Sequence, residues 1–301
     1  MLIPALIEKS AWTVAQVSEN TGRSIGLLQA IVIGIVQGLT EFLPISSTAH
    51  VKIVPVLLGW GDPGVSFTAV IQLGSVAAIL WYFWSDFSSV TLKAVRAAAN
   101  RDFVSSDFRL GFGIVLGTVP IVAVGLFVKL FVPGYDESII RSTGAIAIVS
   151  IVMAILLGTA EFMGSRRRDL SQLGLGDGIG VGLAQMLAII PGVSRSGSTL
   201  TAALFLGLKR ETAARFSFLL GMPAILLAGL VSLVDVIGAE STVGVLPLIV
   251  GLLTAVVSSY WAIAWLIEFL KRHSTWVFVW YRLAFGAVLL SALATGKLAN
   301  V

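Results

Sequence analysis

Two short polar clusters in an otherwise apolar chain carry the residues able to do chemistry. The first runs from Glu41 through Phe42, Leu43, Pro44, Ile45, Ser46, Ser47, Thr48 and Ala49 to His50, with Gln37 just upstream. Gln37 and Glu41 are four apart, so on a helix they share one face. A carboxylate in this apolar context can serve as a metal ligand, a general base or a buried acid. The plainer reading is a helix-end carboxylate bonded to backbone. Ser46, Ser47 and Thr48 follow the proline and can cap a returning helix, whose first turn has unsatisfied N–H groups. His50 stands three residues beyond Ser47 on the same face. That spacing suits a nucleophile with a general base or acid.

The second cluster is Pro191-Gly192-Val193-Ser194-Arg195-Ser196-Gly197-Ser198-Thr199. Four hydroxyls, on Ser194, Ser196, Ser198 and Thr199, surround one arginine. The guanidinium fork suits bidentate phosphate binding, and a restarting helix adds backbone donors and a positive dipole end. The competing reading pairs Arg195 structurally with Glu41 or another acid. Elsewhere the ionisable residues read as bland. Glu161, Asp235 and Glu268 fall near span ends, where snorkelling or capping is expected. Arg282 beside Tyr281 reads as interfacial, His273 as a solvated loop histidine, and Pro120, Pro223 and Pro247 as kinks.

The elements that position these clusters are membrane helices. The chain has 301 residues, 57% hydrophobic and only 12% charged, with a mean hydropathy of +0.97. A soluble domain carries roughly a quarter charged residues, which excludes a soluble globule, a disordered chain and a nucleic-acid binder. Cysteine is absent and histidine occurs twice, so disulfides, thiolate chemistry and His-rich or Cys-ligated metal sites are excluded. Residues 1–23 mix Glu8, Lys9, Glu19 and Arg23 and read as a short amphipathic or loose N-terminal extension, not a cleavable signal.

A spanning helix needs about 20 mainly apolar residues. Six stretches qualify: 65–84, 110–132, 139–163, 212–236, 244–268 and 276–296. Two others, 26–60 and 178–208, are each broken by one of the polar clusters. A proline ends a helix near the preceding residue, and the remaining arms are too short to cross, so both stretches read as re-entrant hairpins. More than half of the 20 basic residues lie in 85–109, 164–177, 209–215 and 269–275, while 61–64, 133–138 and 237–243 carry Asp62, Asp136, Glu137 and Glu240. Placing the basic loops in the cytoplasm makes all six spans alternate. The chain then divides into halves of about 24–163 and 178–296, each a hairpin followed by three spans, the second inverted. Gln37 with Pro44-Ile45-Ser46 is echoed by Gln185 with Pro191-Gly192-Val193-Ser194. The expected fold is an all-α polytopic membrane protein, with six transmembrane helices plus two re-entrant helical hairpins in an inverted-topology repeat. Such repeats bind ligands at the midplane. One membrane-embedded catalytic domain spans 24–301.

The first cluster resembles the (Glu/Gln)-x-x-x-Glu motif and downstream histidine of the integral-membrane undecaprenyl-diphosphate phosphatases. The second resembles that family's Pro-Gly-x-Ser-Arg-Ser-x-x-Thr motif. The resemblance extends through Ile71-Gln72-Leu73-Gly74-Ser75, Gly117-Thr118-Val119-Pro120 and Phe216-Ser217-Phe218-Leu219-Leu220-Gly221-Met222-Pro223 to the end of the chain. It implies hydrolysis of undecaprenyl diphosphate, which recycles the lipid carrier of peptidoglycan synthesis and confers bacitracin resistance. It also implies a divalent cation, Mg²⁺ or Ca²⁺, a homodimer, and an inner-membrane protein whose site opens to the periplasmic side. Gln37 stands where many members have Glu, so Glu41 carries more of any metal or base role. Glu41, Ser47, His50 and Arg195 are the expected catalytic residues. Gln37, Ser46, Ser194, Ser196 and Thr199 are the expected substrate-binding ones, with Glu41 and Gln37 as metal ligands. Ser47, His50 or water can be the nucleophile. The rival class is a polyprenyl-lipid transporter or flippase, which needs the anion clamp but no nucleophile.

Overall fold

The structure, a computed structural model, describes residues 25–135, 138–238 and 244–300. The segment 1–23 and the connection residues Asp136, Glu137 and Glu240 lie outside the described residues, as does the side chain of Asp235. Every extended element among the described residues is a helix. The first broken stretch forms α1 (Leu27–Phe42) and α2 (Ser47–Leu57), followed by α3 (Val65–Tyr82), α4 (Trp84–Ala99), α5 (Ser106–Phe131) and α6 (Thr143–Met163). The second forms α7 (Leu175–Met186) and α8 (Arg195–Phe205), followed by α9 (Arg210–Gly238), α10 (Val245–Arg272) and α11 (Trp276–Ala294).

By length and composition α5, α6, α9, α10 and α11 can cross a membrane, and the pair α3–α4, bent by 70°, makes a sixth candidate. The expected basic loop 85–109 is therefore largely helix. Its sequence explains why: Asp86 lies in the first turn of α4 and Arg96 in the last, matching the helix dipole. Trp84, Leu92 and Val95 stay exposed, a pattern suited to a helix lying at an interface.

Both breaks arise as the prolines dictate. A proline ring disfavours helical backbone in the residue before it, and Leu43 (φ −69°, ψ 142°) and Ile190 (φ −74°, ψ 119°) are both extended. The chain then restarts from Ser46 (φ 77°) and Ser194 (φ 71°), two N-cap serines in backbone territory that glycine normally fills.

Small residues set the packing. α1 lies against α10, and α7 against α5. A Cβ on Gly178 would stand 2.5 Å from the carbonyl oxygen of Gly113, so the α5–α7 approach requires bare backbone. α6 packs on α11, while α3 touches both α10 and α9. The largest apolar core begins beside the first cluster. Phe42 is fully buried and meets Phe218 edge-on at 5.4 Å, and Phe218 meets Phe83 at 5.8 Å. Such aromatic pairs add about 0.5–1.5 kcal/mol each beyond area burial, anchoring the end of α1.

Glu161 corrects the expectation of a snorkelling span-end residue. It is 2% exposed and accepts from Arg210 Nε at 3.0 Å and Thr275 Oγ1 at 2.8 Å, with Arg166 beside it. A buried carboxylate must be paired, and this one ties α6, α9 and α11 together. Pro247 is no kink either. It falls in the first turn of α10, where a proline forfeits no helix bond.

Candidate active site

The two breaks meet in the interior. Ser196 Oγ donates to the carbonyl oxygens of Leu43 at 3.0 Å and Glu41 at 3.2 Å. Arg282 on α11 ties them further. Its Nη1 donates to Pro44 O and Val193 O, both at 3.1 Å, its Nη2 to Gly192 O at 2.5 Å, and its Nε to Ser150 O at 3.2 Å. The side chain is 1% exposed, so it is not the interfacial residue expected from its tyrosine neighbour. The available signal was an ionisable residue well inside an apolar helix, which points to function by default.

Glu41 is the hub. It is 6% exposed. Its Oε2 accepts from Ser47 Oγ at 2.6 Å and from Gln37 Nε2 at 3.0 Å, and its Oε1 faces Arg195 Nη2 at 3.4 Å. Gln37 and Glu41 share a helix face as their spacing requires, and the Glu41–Arg195 pair joins the two clusters. A carboxylate taking three charge-assisted or hydroxyl donors is a strong acceptor.

The His50 ring nitrogens bond elsewhere than to Ser47. Its Nδ1 lies 2.7 Å from Ser46 O and its Nε2 2.6 Å from the Tyr281 hydroxyl. The carbonyl can only accept, so Nδ1 carries a proton and, in the neutral ring, Nε2 accepts from Tyr281. The ring stacks on Phe285 at 4.5 Å. His50 thus holds the strained Ser46 carbonyl at the start of α2. Tyr281, like Arg282, is a site residue that sequence reasoning missed, because its partner lies on a distant helix.

The hydroxyls of the second cluster divide by role. Ser194 Oγ caps α8 by accepting from Gly197 N at 3.0 Å and lies 3.1 Å from Ser196 Oγ. Ser198 and Thr199 both donate to the Arg195 carbonyl, at 3.0 and 2.8 Å, and Thr199 also bonds Ser217. Ser196, Ser198 and Thr199 are almost fully buried, so they fix the backbone that carries Arg195. The Arg195 fork runs against Gly221, with Nη1 buried and unbonded, as are both amide atoms of Gln185.

A cavity of about 900 Å³ opens on this cluster. Glu41, Ser46, Ser47, Ser194 and Arg195 line its polar end. Its other end runs between α5 and α9 and is mainly apolar, along Ile121, Val122, Leu126, Ile225, Leu227 and Val231, with Lys129 of α5 also on its wall. Pro120 and Pro223, each inside its helix, immediately precede that lining, where proline frees a carbonyl and loosens helix packing. The result is one chamber with a charged head and an oily tail. Among the described residues no group of three or more His, Asp and Glu could hold a metal ion by itself.

The chain is similar to proteins named undecaprenyl-diphosphatase. One from Nostoc sp. is 60% identical over 288 residues, covering 94% of this chain and 90% of the relative. One from Trichormus variabilis is 61% identical over 279 residues, covering 92% and 87%. One from Synechococcus elongatus is 58% identical over 288 residues, covering 95% and 99%. The family model described as "Bacitracin resistance protein BacA" matches residues 30–288, a span that takes in both polar clusters, the cavity between α5 and α9, and Arg282 that ties the breaks together. On that evidence the chain belongs to the bacitracin resistance protein BacA family.

Proposed function

We propose that the chain is a membrane enzyme that hydrolyses undecaprenyl diphosphate to undecaprenyl phosphate and inorganic phosphate. The observation that carries this reading is the cavity whose polar end holds Glu41, Ser47 and Arg195 and whose other end is mainly apolar. A polyprenyl diphosphate has the same division between head and tail. High identity to relatives named for this reaction supports it.

In the mechanism we infer, the prenyl chain lies between α5 and α9 and the diphosphate reaches the breaks. Ser47 Oγ attacks the terminal phosphorus as its proton passes to Glu41 Oε2, 2.6 Å away. The bond from that phosphorus to the bridging oxygen breaks, and undecaprenyl phosphate leaves with the bonding pair. Water then cleaves the serine phosphate, restoring Ser47 and releasing inorganic phosphate. Arg195 neutralises charge on the diphosphate and Ser194 and Ser46 orient it, and such positioning and charge stabilisation supply most of the catalysis in phosphoryl transfer. Gln37 holds Glu41 in place, Ser196 and Thr199 hold Arg195 in place, and His50 is a positioning residue for the start of α2.

The donor set fits a divalent cation shared with substrate. Mg²⁺ is held by one or two carboxylates plus substrate phosphates, and Glu41 would supply the one carboxylate, with Gln37 bonded to it. When bound, the cation would neutralise charge on the diphosphate.

We further infer that α1–α2 and α7–α8 are re-entrant hairpins of an inverted repeat. At 1.5 Å per residue the 16 residues of α1 reach about 24 Å, short of a hydrocarbon core of about 30 Å. The packing of α1 on α10 is mirrored by α7 on α5, and Ser46 is mirrored by Ser194. The basic loops put the connections 61–64 and 133–138 on the outer side.

Purified protein, with and without chelator, tests the reaction directly. Phosphate should be released from undecaprenyl diphosphate, and Glu41→Gln and Ser47→Ala should abolish release while lipid binding survives. Unimpaired release by both variants would refute the mechanism. A transporter would bind and move the lipid without releasing phosphate.

A further inference from the structure

The two glutamines of the broken stretches stand at the same offset. Gln37 lies nine residues before the N-cap serine Ser46, and Gln185 lies nine before Ser194. Each sits on the first helix of its pair, and both are buried, Gln185 completely. Gln37 bonds the charged group of its own cluster, Glu41. Gln185 has the corresponding place beside the charged group of the second cluster, Arg195. Among the described residues, its Nε2 and Oε1 and Arg195 Nη1 are buried without a hydrogen-bond partner. The bare backbone of Gly221 locates two of these atoms. A Cβ there would stand 1.7 Å from Arg195 Nη1, and the nearest atom beyond the arginine from another part of the chain is Gln185 Oε1, at 3.6 Å.

A guanidinium nitrogen can only donate and an amide oxygen can only accept, so Nη1 and Oε1 are complementary. A buried donor left unpaired is costly, and a bond from a charged donor is among the stronger ones. The other nitrogen, Nη2, faces Glu41 Oε1 at 3.4 Å, a long contact. A diphosphate entering the polar end of the cavity competes with Glu41 for that nitrogen. Once Nη2 turns to phosphate, the guanidinium needs a second point of attachment to hold its plane. The acceptor must also be neutral. A carboxylate at that place would cancel the charge the phosphate needs, whereas an amide leaves it whole.

We propose that Gln185 is a positioning residue for Arg195, its Oε1 accepting a hydrogen bond from Nη1 as the diphosphate draws Nη2 away from Glu41. The inference rests on the reading of the cavity as a diphosphate site. Gly221 leaves room for the bond, since a side chain there would crowd both atoms. The movement leaves Glu41 to Ser47, whose hydroxyl it already accepts at 2.6 Å. Each hairpin then carries one charged residue of the site and one buried glutamine that holds it.

The test uses the full chain in detergent and a double-mutant cycle. Turnover of undecaprenyl diphosphate is measured beside calorimetric binding of a prenyl methylenediphosphonate, whose P–C–P bridge cannot be hydrolysed. Gln185→Met keeps the length and removes the amide. It should lower kcat/KM and analogue affinity about tenfold, the loss of one charge-assisted bond. In an Arg195→Lys background, which lacks Nη1, the same substitution should change either by less than about twofold, because the two residues act as a unit. A purely structural amide gives the same loss in both backgrounds, and that result would overturn the proposal. So would parent-like turnover and affinity in Gln185→Met, since an unused buried amide can give way to an apolar side chain without loss. Gln185→Glu is a second probe should the methionine variant not fold. Its carboxylate should weaken analogue binding at least about tenfold by neutralising Arg195, and unchanged affinity there would equally sink the role. Analogue binding needs no turnover. A coupled loss of affinity in a chain that releases no phosphate from lipid would count against the hydrolytic reading and leave the role of Gln185 standing.

Discussion

Arg282 offers the most demanding test of how the site is held. Four donor contacts run from one guanidinium to carbonyls on Pro44, Val193, Gly192 and Ser150. Bonds from a charged donor contribute about 1.5–3 kcal/mol each, and an orphaned buried carbonyl costs a further 1–3. Arg282→Lys preserves the charge but replaces the planar fork with one ammonium on a shorter reach. If two of the four bonds are lost, about 3–6 kcal/mol of bonding from this side chain goes with them, before the cost of the orphaned carbonyls. Those ties set the distance between Glu41 on one hairpin and Arg195 on the other. A misplacement of about 1 Å costs on the order of a hundredfold in rate, and that is the expected fall in kcat/KM for undecaprenyl diphosphate. The assay pairs phosphate release with thermal unfolding followed by size exclusion in the same detergent. Tyr281→Phe in parallel removes only the hydroxyl bonded to His50 and should cost less. Arg282→Lys turnover within about threefold of the parent, with unchanged unfolding, would refute the argument that these bonds align the two halves.

Three further outcomes are expected. Arg195→Lys should lose at least about tenfold in activity, on the order of 1.4 kcal/mol of transition-state stabilisation, with folding retained; near-normal turnover in detergent contradicts the phosphate role. Gly221→Ala should lose activity as severely, because its Cβ would lie 1.7 Å from Arg195 Nη1 and 2.9 Å from Cζ, forcing the guanidinium off Glu41. Full activity in that variant would mean Arg195 works from another position. The chain has no native cysteine, so a cysteine at Asp62 should react with an impermeant reagent in intact cells and one at Arg167 only after permeabilisation; labelling of both from one side removes the inverted repeat.

Much of this molecule is legible in its sequence, for physical reasons. The apolar lengths of α5, α6, α9, α10 and α11 lie close to the spans read from hydropathy, because a membrane helix is defined by composition alone. The breaks at Pro44 and Pro191 are equally local. Gln37 and Glu41 bond each other because four residues make a helical turn. What is not legible is whatever depends on a partner far along the chain. Glu161 reads as a span-end carboxylate until Arg210 and Thr275 arrive from α9 and α11. Spacing suggests that His50 serves Ser47, yet Tyr281 and the Ser46 carbonyl occupy both ring nitrogens. The hydroxyls after Arg195 suggest a phosphate cradle, and most of them instead bond backbone. A loop read from its charges, 85–109, is mainly helix, since an amphipathic helix at an interface lacks the apolar length that marks a span.

The positive φ angles of Ser46 and Ser194 bear on how the protein can be engineered. Backbone held there by a residue with a Cβ costs on the order of 1–3 kcal/mol, a penalty glycine avoids. Glycine at either position relaxes the folded chain, at the entropic cost of a looser unfolded one. It also deletes a hydroxyl, and Ser194 uses its own to cap α8. Backbone and side chain therefore make opposite demands at both restarts. A search for heat-resistant variants should recover Ser46→Gly as a sturdier but slower enzyme, whereas Ser194→Gly forfeits a cap and gains less. Thermal robustness and turnover would then be traded against each other at one residue, chosen by its conformation.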